Sequence, residues 1–421
     1  MTPADPPYPR DPSILRGSMQ RRYSRRDMLR AAGLLAGTGL LAGCGVAGAR
    51  AKAAPSDYWS HQKPTKYLDW AQWPLYIDTA TVKGKTVHPS LQEFTKETGI
   101  QVNYQEVIQD MDSFVGSIRP VLASHQSTGY DLMVLTNGIY LTQMTELNYV
   151  IPLDHAMIPN FFRYADATAK NPTFDPGNKF TVPWQSGMTG IAYNPKYVKR
   201  PITSFDDLFD PAFKGKVGMM ADNQDLPNLA LVGIGVDPAK STEADWRRAA
   251  KRLTQQRDEG LVRAYYQQDY IAPLSKGDLW ITMAWSGDIF QANASTPGLD
   301  LKFVVPEQGA VVWTDNLCIP LYSQNPVSAM KLMNFVYDPK IAAMIAEYVN
   351  YFTPVPGAKK YILDDAKAAT AKADRTSLEQ IADSPLVFPT KAMESKLYRY
   401  ATLTPEEVPV WNLIFEPVYE S

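Results

Sequence analysis

Val311-Val312-Trp313-Thr314-Asp315-Asn316-Leu317-Cys318-Ile319-Pro320 is the stretch on which the reading of this chain turns. Trp313 and Asp315 stand two apart, and in an extended segment such residues share a face. An aromatic ring attracts a cation over its face, and a carboxylate accepts the N–H bonds of an ammonium. The pair therefore makes a holder for an organic cation. The same ten residues also read as a buried ring beside an Asp-Asn turn between two strands. The rest of the chain decides between the two.

At 421 residues the chain exceeds one ordinary core, which points to two domains. The 33 prolines and 23 tyrosines point to many loops and aromatic-lined surfaces. The formal charge is −2, and residues 1–43 carry seven Arg and three Asp, so the remainder stands at −6. A mildly acidic body disfavours nucleic acid as a partner and suits a cationic ligand. The two cysteines, Cys44 and Cys318, form no CxxC pair. Cys318 lies in the apolar run Leu317-Cys318-Ile319 and reads as a buried strand thiol. His61, His88, His125 and His155 are isolated and lack metal-ligand spacing. There is no GxSxG elbow and no Walker A loop. The expectation is therefore no enzyme, no metal and no cofactor.

The first fifty residues read as an address. Ser24-Arg25-Arg26-Asp27-Met28-Leu29-Arg30 has the twin-arginine form, with Arg25 and Arg26 as the pair. The apolar run Ala31–Leu41 follows and is too short to span a bilayer permanently. It ends in Leu41-Ala42-Gly43-Cys44, a lipobox in which the Cys44 thiol would carry the lipid. Residues 1–18 are a long leading segment, or Met19 is the true start. The small, polar stretch 44–64 reads as a tether between lipid and domain.

Beyond it, strand and helix patterns alternate. Lys66–Leu68 reads as a strand, with Asp69–Pro74 as an aromatic loop at its end carrying Trp70 and Trp73. Leu91–Thr98 reads as a helix stopped by Gly99, and Ile100–Tyr104 alternates as a strand. Met111–Ser124 is helical, Tyr130–Leu135 a buried strand and Tyr140–Leu147 the next helix. With no GxGxxG, this is an α/β domain without a dinucleotide site. Thr181–Trp184 and Gly190–Asn194 read as two strands around a Gly-containing bend, where the chain first enters a second domain. Ser204–Phe209 is a capped short helix, Phe213–Met220 leads into a strand, and Leu279–Trp285 is another. If Asp225 is the N-cap of the helix that contains Pro227, Asp222 is left in the loop as the better ligand candidate, and Asp225 is structural, functional or both. Val327–Val336 and Lys340–Tyr348 are helices, and Thr404-Pro405-Glu406-Glu407 opens a last one.

Taken together, Trp70–Trp73, Glu93–Ile100, Tyr130–Leu132, Asp222–Asp225, Ala284–Gly287, Trp313–Pro320 and Tyr351–Pro354 resemble the spermidine/putrescine-binding proteins of bacterial polyamine ABC importers. The resemblance runs from about Lys66 to the final helix. It implies an α/β, two-lobed periplasmic-binding-protein (Venus-flytrap) fold with discontinuous lobes, 65–186 with 316–360 and 187–315 with 361–421, crossing near Gly187, Asn316 and Lys360. It implies that Trp70, Trp285 and Trp313 line a methylene chain, with Trp73 where the family usually has Tyr. Asp222, Asp225 and Asp315 would hold amines, Asp225 standing in for Glu. Thr136 replaces a Ser, Tyr351 closes the wall, and Gln267 or Gln268 supplies a polar contact. Asn137-Gly138 stands where the family has a Tyr, unless Tyr140 compensates, and Asp288 adds a carboxylate or caps its helix. The partners implied are a polyamine, an ABC permease and its ATPase, and the membrane through Cys44. The chain itself is expected to be monomeric and extracytoplasmic. The alternatives are the same fold holding another small cationic or polar solute, or an extracytoplasmic enzyme or sensor.

Overall fold

A computed structural model describes residues 50–420, so Arg25, Arg26 and Cys44 lie outside the described residues. The strands are β1 (Tyr67–Gln72), β2 (Ala80–Val82), β3 (Lys85–Val87), β4 (Gln101–Glu106), β5 (Leu132–Thr136) and β6 (Thr181–Tyr193). They continue with β7 (Val217–Met220), β8 (Val262–Tyr266), β9 (Ile281–Trp285), β10 (Lys302–Val304), β11 (Ala310–Cys318) and β12 (Leu397–Arg399). The helices of eight residues or more are α1 (Pro89–Thr98), α2 (Met111–Ala123), α3 (Ile139–Glu146), α4 (Asp225–Gly233), α5 (Glu243–Asp258) and α6 (Ser286–Ser295), then α7 (Pro326–Phe335), α8 (Pro339–Val349), α9 (Ala358–Ala368), α10 (Lys372–Asp383) and α11 (Glu407–Tyr419).

The main sheet runs β4-β1-β5-β11-β6-β9-β7-β8, with β10 on β6 and β12 on β11. At one end β1 pairs parallel with β4 and β5. At the other, β7 pairs parallel with β8 and β9. The antiparallel pair β6–β11 joins these two parallel halves. A parallel strand needs a crossover, here usually a helix, and this gives each half its α/β character. β11 serves both halves in turn. Ala310–Val312 pair with β12, and Asp315–Cys318 pair with β5. The β6–β11 register slips between Asp315 and Asn316, so that Trp184 is the extra residue of a bulge. Pro183, which cannot donate to a ladder, sits at that irregularity.

Most local expectations hold. Gly99 ends α1 at φ 72°, and Ser204 and Asp207 form a capping box. Thr404 N–H donates to Glu407 Oε2 at 2.8 Å ahead of α11. Cys318 is fully buried in β11. Four expectations change. First, residues 181–193 are one strand and not two around a bend, because β6 stays paired along its length with β11 and β9. Second, β1 runs on through Gln72, so Trp70 is a strand residue in a core position and not part of a loop. Third, the last passage of the chain falls after residue 360. Helix α9 packs on α8 of the first half and α10 packs on α9, and Thr353 N–H donates to Val387 O at 3.3 Å. The chain then joins the second half with β12, and α11 packs on α5. Fourth, the stretch 44–64 is not a loose connector from Ala51 onward: Ala51 is buried, and Trp59 Nε1 donates to Pro152 O at 2.9 Å.

Candidate functional site

In a parallel α/β half the loops after the strands' carboxyl ends gather at one edge, and that edge is where such folds bind ligands. Here the carboxyl ends of β1 and β5 bring Trp73 and Thr136 to a cavity of about 430 Å³. From the other half come Asp222 and Asp225 after β7, Gln267 and Gln268 after β8, and Trp285 and Asp288 at the β9–α6 junction. β11 adds Trp313 and Asp315, side by side in the alternation of one strand, and Tyr351 follows α8. Thus nine of the ten expected ligand residues line one cavity, and Trp70 does not.

Trp70 has no exposed surface. Its ring meets Trp184 edge-on at 5.1 Å and Tyr104 at 5.3 Å. β1 lies between β4 and β5 and buries Leu68, Trp70 and Gln72, so its even positions face a lobe interior. The ring nonetheless belongs to a continuous aromatic file. Trp184 meets Tyr76 at 6.4 Å, Tyr76 meets Tyr351 at 5.7 Å, Tyr351 meets Trp313 at 5.3 Å, and Trp313 meets Trp285 at 6.5 Å. Two glycines make room for this file. A Cβ at Gly187 would stand 2.4 Å from the Trp313 ring, and one at Gly287 would stand 2.4 Å from the Tyr351 ring.

The carboxylates are held by neutral donors. Asp315 Oδ2 accepts from Tyr76 Oη at 2.7 Å and Oδ1 from Thr136 Oγ1 at 2.6 Å. Burial pushes its carboxyl up to about 6, against the lowering effect of those two bonds. Asp225 accepts from Tyr400 Oη at 2.7 Å, from Trp285 Nε1 at 2.7 Å and from Thr189 Oγ1. Asp288 accepts from Tyr270 Oη and Tyr351 Oη, each at 2.7 Å. Burial raises the carboxyls of Asp225 and Asp288 as well. Asp222 Oδ1 accepts from the amides of Gln224 at 2.7 Å and Asp225 at 2.5 Å. Burial and the neighbouring Asp225 charge raise its carboxyl.

The helix-capping role read at Asp225 falls to Asp222, and both residues line the cavity. Asp222 satisfies the free amides at the start of α4, while Asp225 is the first residue of the helix and turns its side chain into the site. Asp288 lies within α6, and its side chain joins two tyrosines in place of capping the helix. Tyr140 does stand in the cavity wall, where Asn223 Nδ2 donates to its hydroxyl at 3.0 Å. Tyr76 and Tyr400 escaped the sequence reading. Tyr76 sits two residues past Pro74, in a loop with no periodicity, and Tyr400 follows a three-residue strand.

The two halves touch around this cavity. Ile139 N–H donates to Gln224 Oε1 at 2.8 Å, and Gln291 Nε2 donates to Val349 O at 2.6 Å. The lining contains eight acidic residues, Asp110, Asp112, Asp222, Asp225, Asp288, Asp315, Glu416 and Glu420, and no Lys, Arg or His, so its field attracts cations only. Among the described residues no cluster could hold a metal ion, and no helix is long and apolar enough to cross a membrane.

Two α/β halves joined by shared strands, with a ligand-sized cavity between them, define a periplasmic binding protein. Solved structures agree. A Listeria monocytogenes protein described as of a spermidine/putrescine ABC transporter superposes with a TM-score of 0.68 at 25% identity, covering 84% of this chain and 99% of that one. A Treponema pallidum lipoprotein gives 0.66 at 17% identity, covering 84% and 100%, which speaks to the fold alone. Among characterised sequences, the spermidine/putrescine-binding periplasmic protein of Escherichia coli is 30% identical over 309 residues, 72% of this chain and 82% of that protein. The putrescine-binding periplasmic protein of the same organism is 26% identical over 377 residues, 86% of this chain and 92% of that protein. The profile of the bacterial extracellular solute-binding proteins matches residues 128–377, and the chain belongs to that family. It is a solute-binding protein of transport, of a family that works outside the cytoplasm and is not an enzyme family.

Proposed function

We propose that this chain is the lipid-anchored substrate-binding component of an ABC importer and that it holds a polyamine between its halves for delivery to a membrane permease. The observation that carries the reading is the wholly acidic, aromatic-walled cavity. A diamine or triamine is an apolar rod with charged ends. Each methylene buried against Trp285, Trp313 and Tyr351 contributes about 0.8 kcal/mol. An ammonium over a desolvated ring adds about 2 kcal/mol. Asp315, Asp225, Asp288 and Asp222 supply the charges for the amines, and Trp73, Thr136 and Gln267 complete the wall. An unpaired buried charge costs several kcal/mol, so ammoniums need these carboxylates, and a rod without charge would leave the ionised carboxylates unpaired. The names of the relatives agree with this ligand class.

The lobes in this reading are the two sheet halves, with β6 and β11 as the hinge near Gly187 and Asn316 and the third passage between Phe388 and Leu397. Export by Arg25-Arg26 and acylation at Cys44 would leave a monomer fastened outside the cytoplasmic membrane. Thermal-shift titration of ligand-stripped protein tests the assignment. Putrescine, spermidine or spermine should raise the melting temperature saturably, as any ligand of the native state does. Response to none of them would reject the polyamine class, and response to a different small cation would reassign the ligand while keeping the transport role.

A further inference from the structure

Asp222-Asn223-Gln224-Asp225 faces two ways. The outer pair brings carboxylates to the cavity. The inner pair reaches across to the first half. Gln224 Oε1 accepts the Ile139 N–H at 2.8 Å, and Asn223 Nδ2 donates to Tyr140 Oη at 3.0 Å. Their backbones are held to the second half, since Trp411 Nε1 donates to Asn223 O and Asn228 Nδ2 donates to Gln224 O, each at 2.7 Å.

The receiving end is shaped for this contact. Ile139 is the first residue of α3, and the first amides of a helix have no partner within it. The residue before a helix often serves such amides with its side chain. Here that residue is Gly138, at φ 105°, with no side chain to offer. A Cβ on Gly138 would collide with Gln224 Oε1. The Gln224 amide oxygen therefore caps α3 from the opposite half, in the space that the glycine leaves.

Both ends are also tied to the carboxylates of the cavity. On the second half, Asp222 Oδ1 accepts the Gln224 N–H at 2.7 Å. On the first, Asn137 beside Gly138 accepts the Thr314 N–H on Oδ1 at 2.7 Å and donates its own N–H to Thr314 O at 2.9 Å. Thr314 stands between Trp313 and Asp315.

We propose that Asn223 and Gln224 are a latch between the halves: they dock on the amino end of α3, and because they share one loop with Asp222 and Asp225, capture of a ligand and closure of the halves are a single event. The proposal rests on the reading of the cavity as a ligand site between two movable halves, and not on which amine it holds. Both are positioning residues. Opening must break both contacts and strip the Ile139 amide of its partner, so the latch slows release and leaves entry into the open form unchanged.

Hydrogen exchange at the Ile139 amide and the rate of spermidine release together test this on the full chain. In the parent, saturating spermidine should slow exchange at Ile139 at least tenfold, as an amide that exchanges only on opening requires. Gln224→Leu keeps the bulk and removes the acceptor. With spermidine saturating it should lose that protection and release spermidine on the order of tenfold faster, the worth of about one hydrogen bond, with association within about twofold of the parent. Gln224→Glu keeps an acceptor for the Ile139 N–H and should restore both values. Tyr140→Phe removes the second contact and should shift release in the same direction by a smaller factor, which keeps the test open if the leucine variant does not fold. Protection at Ile139 that survives in Gln224→Leu, equal release from the leucine and glutamate variants, or unaltered release from Tyr140→Phe where the leucine variant does not fold, would overturn the latch. A parent that binds no spermidine would count against the polyamine reading instead. The exchange comparison is then made on the ligand-free proteins, where slower exchange in the parent than in Gln224→Leu supports the latch and equal exchange overturns it.

Discussion

Asp315 accepts two hydrogen bonds from neutral hydroxyls, and an ionised carboxylate has about four acceptor positions, so two remain for an ammonium. Asp315→Asn keeps the shape and removes the charge. Affinity for the polyamine should fall roughly 30- to 100-fold, about 2–3 kcal/mol for a lost charge-assisted bond, with little change in melting temperature. An unchanged dissociation constant by calorimetry would remove Asp315 from the site. Trp70 makes the opposite case. Trp70→Phe should cost about 1–3 kcal/mol of stability in denaturant melts and leave affinity within about threefold, since its ring touches Trp184 and Tyr104 and not the cavity. A large loss of affinity at full stability would show that the ring reaches the ligand after all. The sequence revealed the chemistry of the site through Trp and Asp positions spaced along strands. It did not reveal which aromatic faces inward, because Trp73, one residue past the end of β1, and Trp70, two residues before it, look alike until the strand's length is known. Tyr76 and Tyr400 were invisible for the related reason that loop residues carry no period.

At the scale of elements, β11 does the joining. Its first residues pair with β12 and its last with β5, and the slip at Asp315/Asn316 places Trp313 and Asp315 where the two halves meet. The spacing of that pair, read as one face of a strand, holds. The single long β6 was not legible, since Gly187 and Gly190 look like a bend and only pairing on both flanks keeps such residues extended. Gly187 is small because Trp313 occupies its Cβ space. Gly187→Ala should therefore displace the Trp313 ring and weaken binding at least tenfold, measured by tryptophan-fluorescence titration, while the chain still folds. Unaltered binding would mean that the ring can shift without consequence. The shift of the cap from Asp225 to Asp222 has a similar origin. Three-residue spacing marks a cap, but only the chain path decides that Asp222 serves the amides while both residues line the cavity.

For the whole molecule, four carboxyls with raised proton affinity share one cavity. A carboxyl whose folded value lies above its unfolded one binds more protons in the native state, so its ionisation opposes folding as pH rises. The ligand-free protein should accordingly lose stability between about pH 5 and pH 8, through the Asp315 range near 6 and beyond it. The shift in melting temperature produced by a polyamine should be larger at pH 8 than at pH 5, because ammoniums favour the ionised form. A shift independent of pH would contradict that coupling. The division into two halves was legible from length and from the β–α alternation. The late return of the chain after Phe388 was not, because the packing of α9 on α8 and of α10 on α9 depends on contacts between helices and on no local motif. The central claim is that the acidic cavity holds a polyamine. Calorimetric titration of ligand-stripped protein with spermidine and putrescine, at neutral pH and in two buffers of different ionisation enthalpy, tests it most directly. The expected result is saturable one-site binding with a heat that differs between buffers as carboxyls release protons. No saturable heat from either amine would contradict it.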